Sequence, residues 1–326
     1  MDIECATELT GYLRENGRIE STEQPRLTVL AGGVSNRTVL VERANDVAWV
    51  MKQALAKLRV ASDWFSDPER IHREALGLRW LGELAPGSTP RLIFEDHEQH
   101  LLAMEAVPLP HENWKTLLLR GEIEREAVEQ FGRLLGTIHR QALERRAELE
   151  PVFRDRTFFE SLRLEPYYAY AAAQVPAAAP FLQSLLAETR ATRLTLVHGD
   201  YSPKNILARE GKIILLDHEV IHWGDPAFDL GFSLTHFLSK AHHLRAHRAQ
   251  FAAAAQLYWQ SYDNEACQAR AVRHTLGCLL ARVDGRSPLE YLDADERQRQ
   301  RGAVVRLMAA PPTKIEQLIE QFLSCL

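Results

Sequence analysis

The apolar pattern of this chain changes period once, near Pro108, and that change limits the folds open to it. Before it, short runs alternate as strands do: RLTVL (26–30), RTVLVE (37–42) and VAWVMKQAL (47–55), the first two joined by the turn-rich AGGVSN (31–36). PRLIFEDHEQHLLAMEAV (90–107) reads as two further strands around a polar turn. One helix interrupts them at 68–84, with Asp67 as cap, Pro68 in the first helical position, and Ile71, Ala75, Leu78 and Leu81 as its buried stripe. Beyond Pro108 the spacing is helical. An amphipathic helix covers 124–143, an Ala-rich helical stretch broken at its prolines covers 159–190, and 227–282 and 288–325 are helical again. A single β-hairpin, 205–217, falls among them. The expected class is α+β in two lobes, a small β-rich lobe over 1–106 and a larger, mainly helical one over 107–326, with no internal repeat or low-complexity linker.

Composition excludes several function classes. Lys plus Arg number 39 and Asp plus Glu 44, a net charge of −5, which argues against a general nucleic-acid binder and suits a cationic or neutral small substrate. The four cysteines, Cys5, Cys267, Cys278 and Cys325, form no C-x-x-C pair, so neither a disulfide framework nor a zinc knuckle is expected. The N-terminal MDIECATELTGYLRENG has no apolar core of a secretory signal. The most apolar stretch, 169–182, is too short to span a membrane and holds Gln174, Pro176 and Pro180. The expectation is a soluble, cytoplasmic protein with no nucleic-acid or membrane partner, its oligomeric state unset.

The chemistry concentrates in TLVHGDYSPKNILAREGKIILLDHEV, residues 195–220. Asp200 follows a short apolar run, Asn205 comes five residues later and Asp217 twelve after that. The hairpin between them turns at REGK and brings Asp217 back toward the start of the loop, so the three polar groups converge. Two carboxylates and an amide oxygen are hard ligands that suit Mg²⁺ rather than zinc, and Mg²⁺ held by few protein groups shares its remaining positions with phosphate oxygens and water. A carboxylate beside it can accept a proton from a substrate hydroxyl. No Walker A sequence occurs, which excludes a P-loop NTPase.

This spacing is that of the protein-kinase catalytic loop followed by its D-F-G element. Gly199 and the triplet DHE (217–219) depart from protein kinases, and HGDYSPKN with LDHEV instead resembles the aminoglycoside phosphotransferase and choline kinase-like family of small-molecule kinases. WGDPAFDLGF (223–232) strengthens the likeness, which runs in order from the GG-x-S-N turn to FDLGF. The resemblance implies a bilobal, protein-kinase-like fold and transfer of the γ-phosphoryl of ATP, with Mg²⁺, to a hydroxyl of a small molecule. It implies Asp200 as catalytic base or hydroxyl-orienting group, Asn205 and Asp217 as metal ligands, and Asp229 and His198 as supports of the loop. In the first lobe it implies that Lys52 contacts the α- and β-phosphates with Glu74 as its partner. Gly32, Gly33 and Ser35 would approach the phosphates, and backbone groups near Glu105 and Val107, in the interlobe hinge, would read adenine.

Two other classes are compatible with parts of the sequence. A catalytically inactive kinase-like nucleotide binder would keep the same motifs. A metal-dependent hydrolase would use the nearby His198, Asp200, Asp217, His218 and His222, with His243 and His247 four apart; it leaves Lys52, Glu74 and Asn205 without a role. The acceptor is not encoded in any motif: an aminoglycoside, a sugar, an amino alcohol or a related metabolite all fit. Its pocket is expected between the catalytic loop and the helices after 140, and ARVDGRSPLEYL (281–292) reads as a solvated loop, with Arg282, Asp284 and Arg286 as candidate acceptor contacts.

Overall fold

Alternation places every second residue of the strands near 50 on one side of a sheet. In the computed structural model, whose described residues are 1–31, 35–44, 46–59 and 64–326, this sheet is antiparallel. Its strands are β1 (Arg26–Val29), β2 (Asn36–Glu42), β3 (Ala48–Ala54), β4 (Leu92–Asp96) and β5 (Leu101–Glu105), in the order β1-β2-β3-β5-β4. Val39, Val41, Trp49, Met51 and Phe94 face Leu9 and Leu13 of helix α1 (Ala6–Glu15). The opposite face sets Ala54, Leu102 and Met104 against Ile71, Ala75 and Leu78 of α2 (Arg70–Leu84), so the buried stripe read from the sequence is the packed one. The helix starts two residues later than expected. Asp67 does not cap it in the usual sense; its carboxylate accepts from the Glu69 N–H at 3.0 Å in the turn just before.

The chain divides into two compact units, Met1–Leu109 and Pro110–Leu326. The second opens with the short strand β6 (Glu112–Asn113) and α3 (Trp114–Leu119), then the amphipathic α4 (Arg125–Glu144) and α5 (Arg146–Phe153). Around 159–190 the sequence predicts helix broken at each proline, and the structure departs from that. A turn of α-helix, α6 (Thr157–Phe159), runs into a π-helix over Glu160–Ala169 that contains Pro166, then α7 (Tyr170–Gln174). A proline inside an α-helix lacks its N–H and collides with the carbonyl four residues back; the wider π turn respaces both, so the helix continues. A break does occur at Pro176, before α8 (Ala179–Ala191).

Strand β7 (Thr195–Val197) leads into the motif loop, and β8 (Ile206–Arg209) and β9 (Lys212–Leu215) form the expected hairpin. Its two central residues, Glu210 and Gly211, have φ of 48° and 73°, the left-handed pair that matches the twist of a tight hairpin. Two pairings are absent from the sequence reading: β6 extends the hairpin through β8, and β7 pairs with β10 (His222–Gly224). Helix α9 (Pro226–His243) is buried almost throughout, among α4, α10 (Arg248–Tyr262) and α11 (Gln268–Asp284), with α12 (Ala294–Ala309) and α13 (Ile315–Ser324) completing the unit. Gly231 permits the close approach of α11, since a Cβ there would lie 2.5 Å from that of His274.

Candidate active site

The loop between β7 and β8 is held by backbone bonds before any side chain acts. Gly199 has φ +78°, and a Cβ on it would stand 2.9 Å from Val220 Cγ2, so glycine is required there. Asp229, on the first turns of α9, accepts from the backbone N–H groups of His198 at 2.7 Å and Gly199 at 2.8 Å, and from His139 Nε2 at 3.2 Å. Burial raises its pKa, but the His139 hydrogen bond and the imidazole charges beside it hold the carboxylate below its usual range. Asp225 caps the same helix, accepting from the Ala227 N–H at 3.0 Å, with Pro226 in the first helical position. The GDPAFDLGF segment is thus a capped helix start whose Asp229 fastens the loop.

The loop presents Asp200, which is 5% exposed. Its Oδ2 accepts from Asn205 Nδ2 at 2.7 Å and from Arg163 Nη2 at 2.9 Å. The Asn205 amide also donates to the Asp200 carbonyl at 3.0 Å, which leaves its Oδ1 as the remaining polar atom. At the far end of the hairpin the Leu216 N–H donates to the Asn205 carbonyl at 2.8 Å, returning Asp217 to the loop. Asp217 takes φ +67°, a left-handed conformation that aspartate tolerates better than most side chains. Asp200 and Asp217 both act on Arg163 and on His198 electrostatically, so the two carboxylates share one neighbourhood.

Arg163 escaped the sequence reading. It sits on the π-helix, 8% exposed, donates through Nε to the Gly199 carbonyl at 2.9 Å, and clamps both the backbone and the carboxylate of the loop. Burial lowers its pKa, and the fields of Asp200, Tyr167, Glu219 and Asp217 more than restore it. The histidines singled out near the loop are engaged in hydrogen bonds. His198 accepts from the Asp200 N–H through Nδ1 at 3.2 Å, so its Nε2 carries the proton donated to His218 Nδ1 at 3.0 Å. His222 Nδ1 donates to the Val220 carbonyl, His243 meets Glu296 and His247 meets Gln250.

In the first unit, Lys52 lies on the α2-facing side of β3 and its ammonium meets Glu74 Oε1 at 2.5 Å. Glu74 is fully buried among Ile71, Ala75 and Leu78. Ser35 is buried, accepting from Asn36 Nδ2 at 3.2 Å. Its carbonyl is taken by Arg70 Nη2 and the Leu55 N–H. Arg70, itself fully buried, is a second anchor that the sequence reading did not single out. Gly33 and Gly32 lie outside the described residues. The Glu105 N–H donates to the Arg91 carbonyl at 2.9 Å and its carboxylate pairs with Arg91 at 2.6 Å, while the Ala106 N–H donates to the Ala48 carbonyl. Val107 is the next residue after these sheet bonds.

A model of the phosphotransferase enzyme family matches residues 26–266, from β1 to the end of α10. The chain belongs to this family. A methylthioribose kinase of Pectobacterium atrosepticum is 25% identical over 269 residues, a match that spans 72% of this chain and 65% of the relative, slightly under two thirds of its length. An amicoumacin kinase solved in complex with AMP-PNP, Ca²⁺ and Ami superposes with a TM-score of 0.61 at 15% identity, covering 96% of this chain and 99% of that one. A putative fructosamine-3-kinase from Thermobifida fusca gives 0.55 at 19% identity, covering 95% and 99%. The fold is therefore protein-kinase-like, a sheet-built N-terminal region followed by a mainly helical one.

Of residues 281–292 in this phosphotransferase, the first four close helix α11 and only 285–292 form the expected loop, with Arg286, Pro288 and Glu290 exposed. Helix α11 runs on to Asp284, Arg282 is 8% exposed with its guanidinium over the rings of Tyr167 and Phe232 at 5.0 and 5.2 Å, and Asp284 is engaged by Arg301. Arg286 covers Tyr170 at 5.2 Å. Arg282 and Arg286 both lay long side chains on aromatic faces. No helix of the described residues is long and apolar enough to cross a membrane.

Proposed function

We propose that the chain is an ATP-dependent phosphotransferase that moves the γ-phosphoryl group to a hydroxyl of a small molecule. The observation that carries this is the loop itself: Asp200 and Asn205 in direct contact, and Asp217 returned beside them by a hairpin anchored on the Asn205 carbonyl. The donor set fits a hard divalent cation, because Asn205 Oδ1 and the Asp217 carboxylate are oxygen ligands. Mg²⁺ bound there would neutralise charge on the β- and γ-phosphates.

In this reading the acceptor hydroxyl lies against Asp200. Its oxygen bonds to the γ-phosphorus, its proton passes to the Asp200 carboxylate, and the bond from the γ-phosphorus to the bridging oxygen of the β-phosphate breaks, releasing ADP. Arg163 and Asn205 fix the carboxylate for that step. Lys52, held by Glu74, meets the α- and β-phosphates, Gly33 and Ser35 belong to the phosphate turn, and the backbone at Glu105 and Val107 meets adenine. The free donor at the last of these is Val107, since the Glu105 N–H is already used by Arg91. The first unit is then the nucleotide-binding lobe, and the second carries the catalytic loop and the acceptor. The named relatives, kinases of methylthioribose, amicoumacin and fructosamine, support a small hydroxylated acceptor.

Asp200→Ala tests the role. Phosphoryl transfer should fall by about 10²–10⁴ or more while ATP affinity stays within a few-fold. Transfer to the true acceptor at near wild-type rate would remove Asp200 from the mechanism.

A further inference from the structure

Helix α9 carries a row of polar side chains that phosphoryl transfer leaves unused. Ser233, His236 and Lys240 recur at spacings of three and four, on one helix face. The row begins at the catalytic loop, where Ser233 Oγ donates to the Tyr201 carbonyl at 2.7 Å. Lys240, seven residues on, lies roughly 10 Å farther along the axis.

Lys240 has no exposure at all. Its one hydrogen bond among the described residues runs at 3.5 Å to the His236 carbonyl of its own helix, and its ammonium stands 5.4 Å from the ring of Tyr291, whose hydroxyl also has no partner. His236 is 3% exposed and its Nε2 has no hydrogen-bond partner among the described residues. Arg282 sends Nη1 to the Ser287 carbonyl and hydroxyl at 2.9 and 3.1 Å, but its Nε is buried without one. Lys115 and Lys204 add positive field to the group, and the carboxylate acting on Lys240, that of Glu290, is itself held by Lys115. An ammonium buried while the carboxylate that acts on it is engaged by another cation is unfavourable, and a guanidinium beside it makes it more so. Burial pushes Lys240 down to about 7, and burial with the surrounding cations pushes His236 well below its ordinary value.

We infer that Lys240, His236 and Arg282 form an oxyanion subsite that receives a carboxylate or phosphate of the acceptor, whose hydroxyl lies at Asp200. This rests on the phosphotransfer reading for the hydroxyl end alone. The two ends are linked through packed side chains: Arg163 holds Asp200, Tyr167 follows it on the π-helix, and Arg282 covers Tyr167. The acceptor is thus an anionic polyol, a sugar acid or a sugar phosphate, and not the cationic or neutral molecule that the net charge of −5 suggests.

Gluconate and ribose 5-phosphate serve as the carboxylate and phosphate probes, with ribose and kanamycin as neutral and cationic controls. Binding is followed by calorimetry and transfer by ADP release, in the wild type, Lys240→Met and Lys240→Arg. At least one anionic probe should bind, Lys240→Met should weaken it by about tenfold or more, and Lys240→Arg should retain most of it. Lys240→Met should also melt higher than the wild type without ligand, because a similar volume is kept and the buried charge is gone. Anion binding that ignores Lys240→Met, binding of kanamycin or ribose alone, no binding by either anion, or a lower melting temperature would each overturn the subsite. Lys240-dependent anion binding without transfer by any probe would leave the subsite standing and count against the phosphotransfer reading. Transfer to kanamycin with no anion binding would do the reverse.

Discussion

Lys52 and Glu74 lie 22 residues apart and meet at 2.5 Å, the glutamate fully buried and the lysine nearly so. Such a pair is costly to break from one side. Removing the lysine leaves a carboxylate in an apolar helix face, a loss of about 3–5 kcal/mol. Lys52→Ala should therefore destabilise the first unit and also cut kcat/KM for ATP by about 10–100-fold, the worth of a charged phosphate contact. Glu74→Ala should lose less activity, since the ammonium remains but is no longer aimed. The double variant should be more stable than Lys52→Ala and no less active, because the two side chains act as a unit. Additive losses across that cycle, measured by urea denaturation and steady-state kinetics, would separate the pair functionally. At this scale the sequence was legible where a residue was out of place: a lysine inside an apolar strand and a glutamate on an apolar stripe point to each other.

Helices, strands and turns hold the loop, and Gly199 is where the elements press hardest on a single position. Alanine there must adopt φ +78° with its Cβ 2.9 Å from Val220 Cγ2. The backbone conformation alone costs about 1–2 kcal/mol, and relief requires moving the segment that Asp229 fastens. Gly199→Ala should lower stability by at least that amount and depress transfer far more than ATP affinity. A variant with wild-type melting and turnover would show that the loop tolerates displacement. The hairpin was legible because an REGK turn between two apolar runs fixes both its ends, and the twelve-residue spacing from Asn205 to Asp217 follows. The clamp by Arg163 was not, because its direction depends on a π turn around Pro166 that local spacing does not announce. The row on α9 was hidden for a different reason: a helix buried on every side shows no polar stripe to set His236 and Lys240 apart. The strand pair β7–β10 joins residues about 25 apart with only three on each side, too few for a period to emerge.

On the scale of the whole molecule, the chain divides into two compact units, Met1–Leu109 and Pro110–Leu326, and its apolar period changes at Pro108. Hydrogen exchange should reflect this. AMP-PNP without metal should protect amides of β2, β3 and 105–107, and an acceptor should protect those of the catalytic loop and the Arg282 end of α11. Protection by metal-free nucleotide confined to Pro110–Leu326 would reverse the assignment of the lobes. The π-helix at Glu160–Ala169 bears on both ends of the proposed acceptor site at once, because Arg163 and Tyr167 are read from the same winding. Such a winding uses more residues per turn than an α-helix does. In an evolving gene it is a one-codon setting: deleting a single codon between 163 and 167 turns everything on one side by about 100° relative to the other. Substitutions can adjust this wall gradually, whereas a one-residue deletion exchanges it in a single event, making this segment a place where relatives could part in what they phosphorylate while keeping the catalytic loop intact.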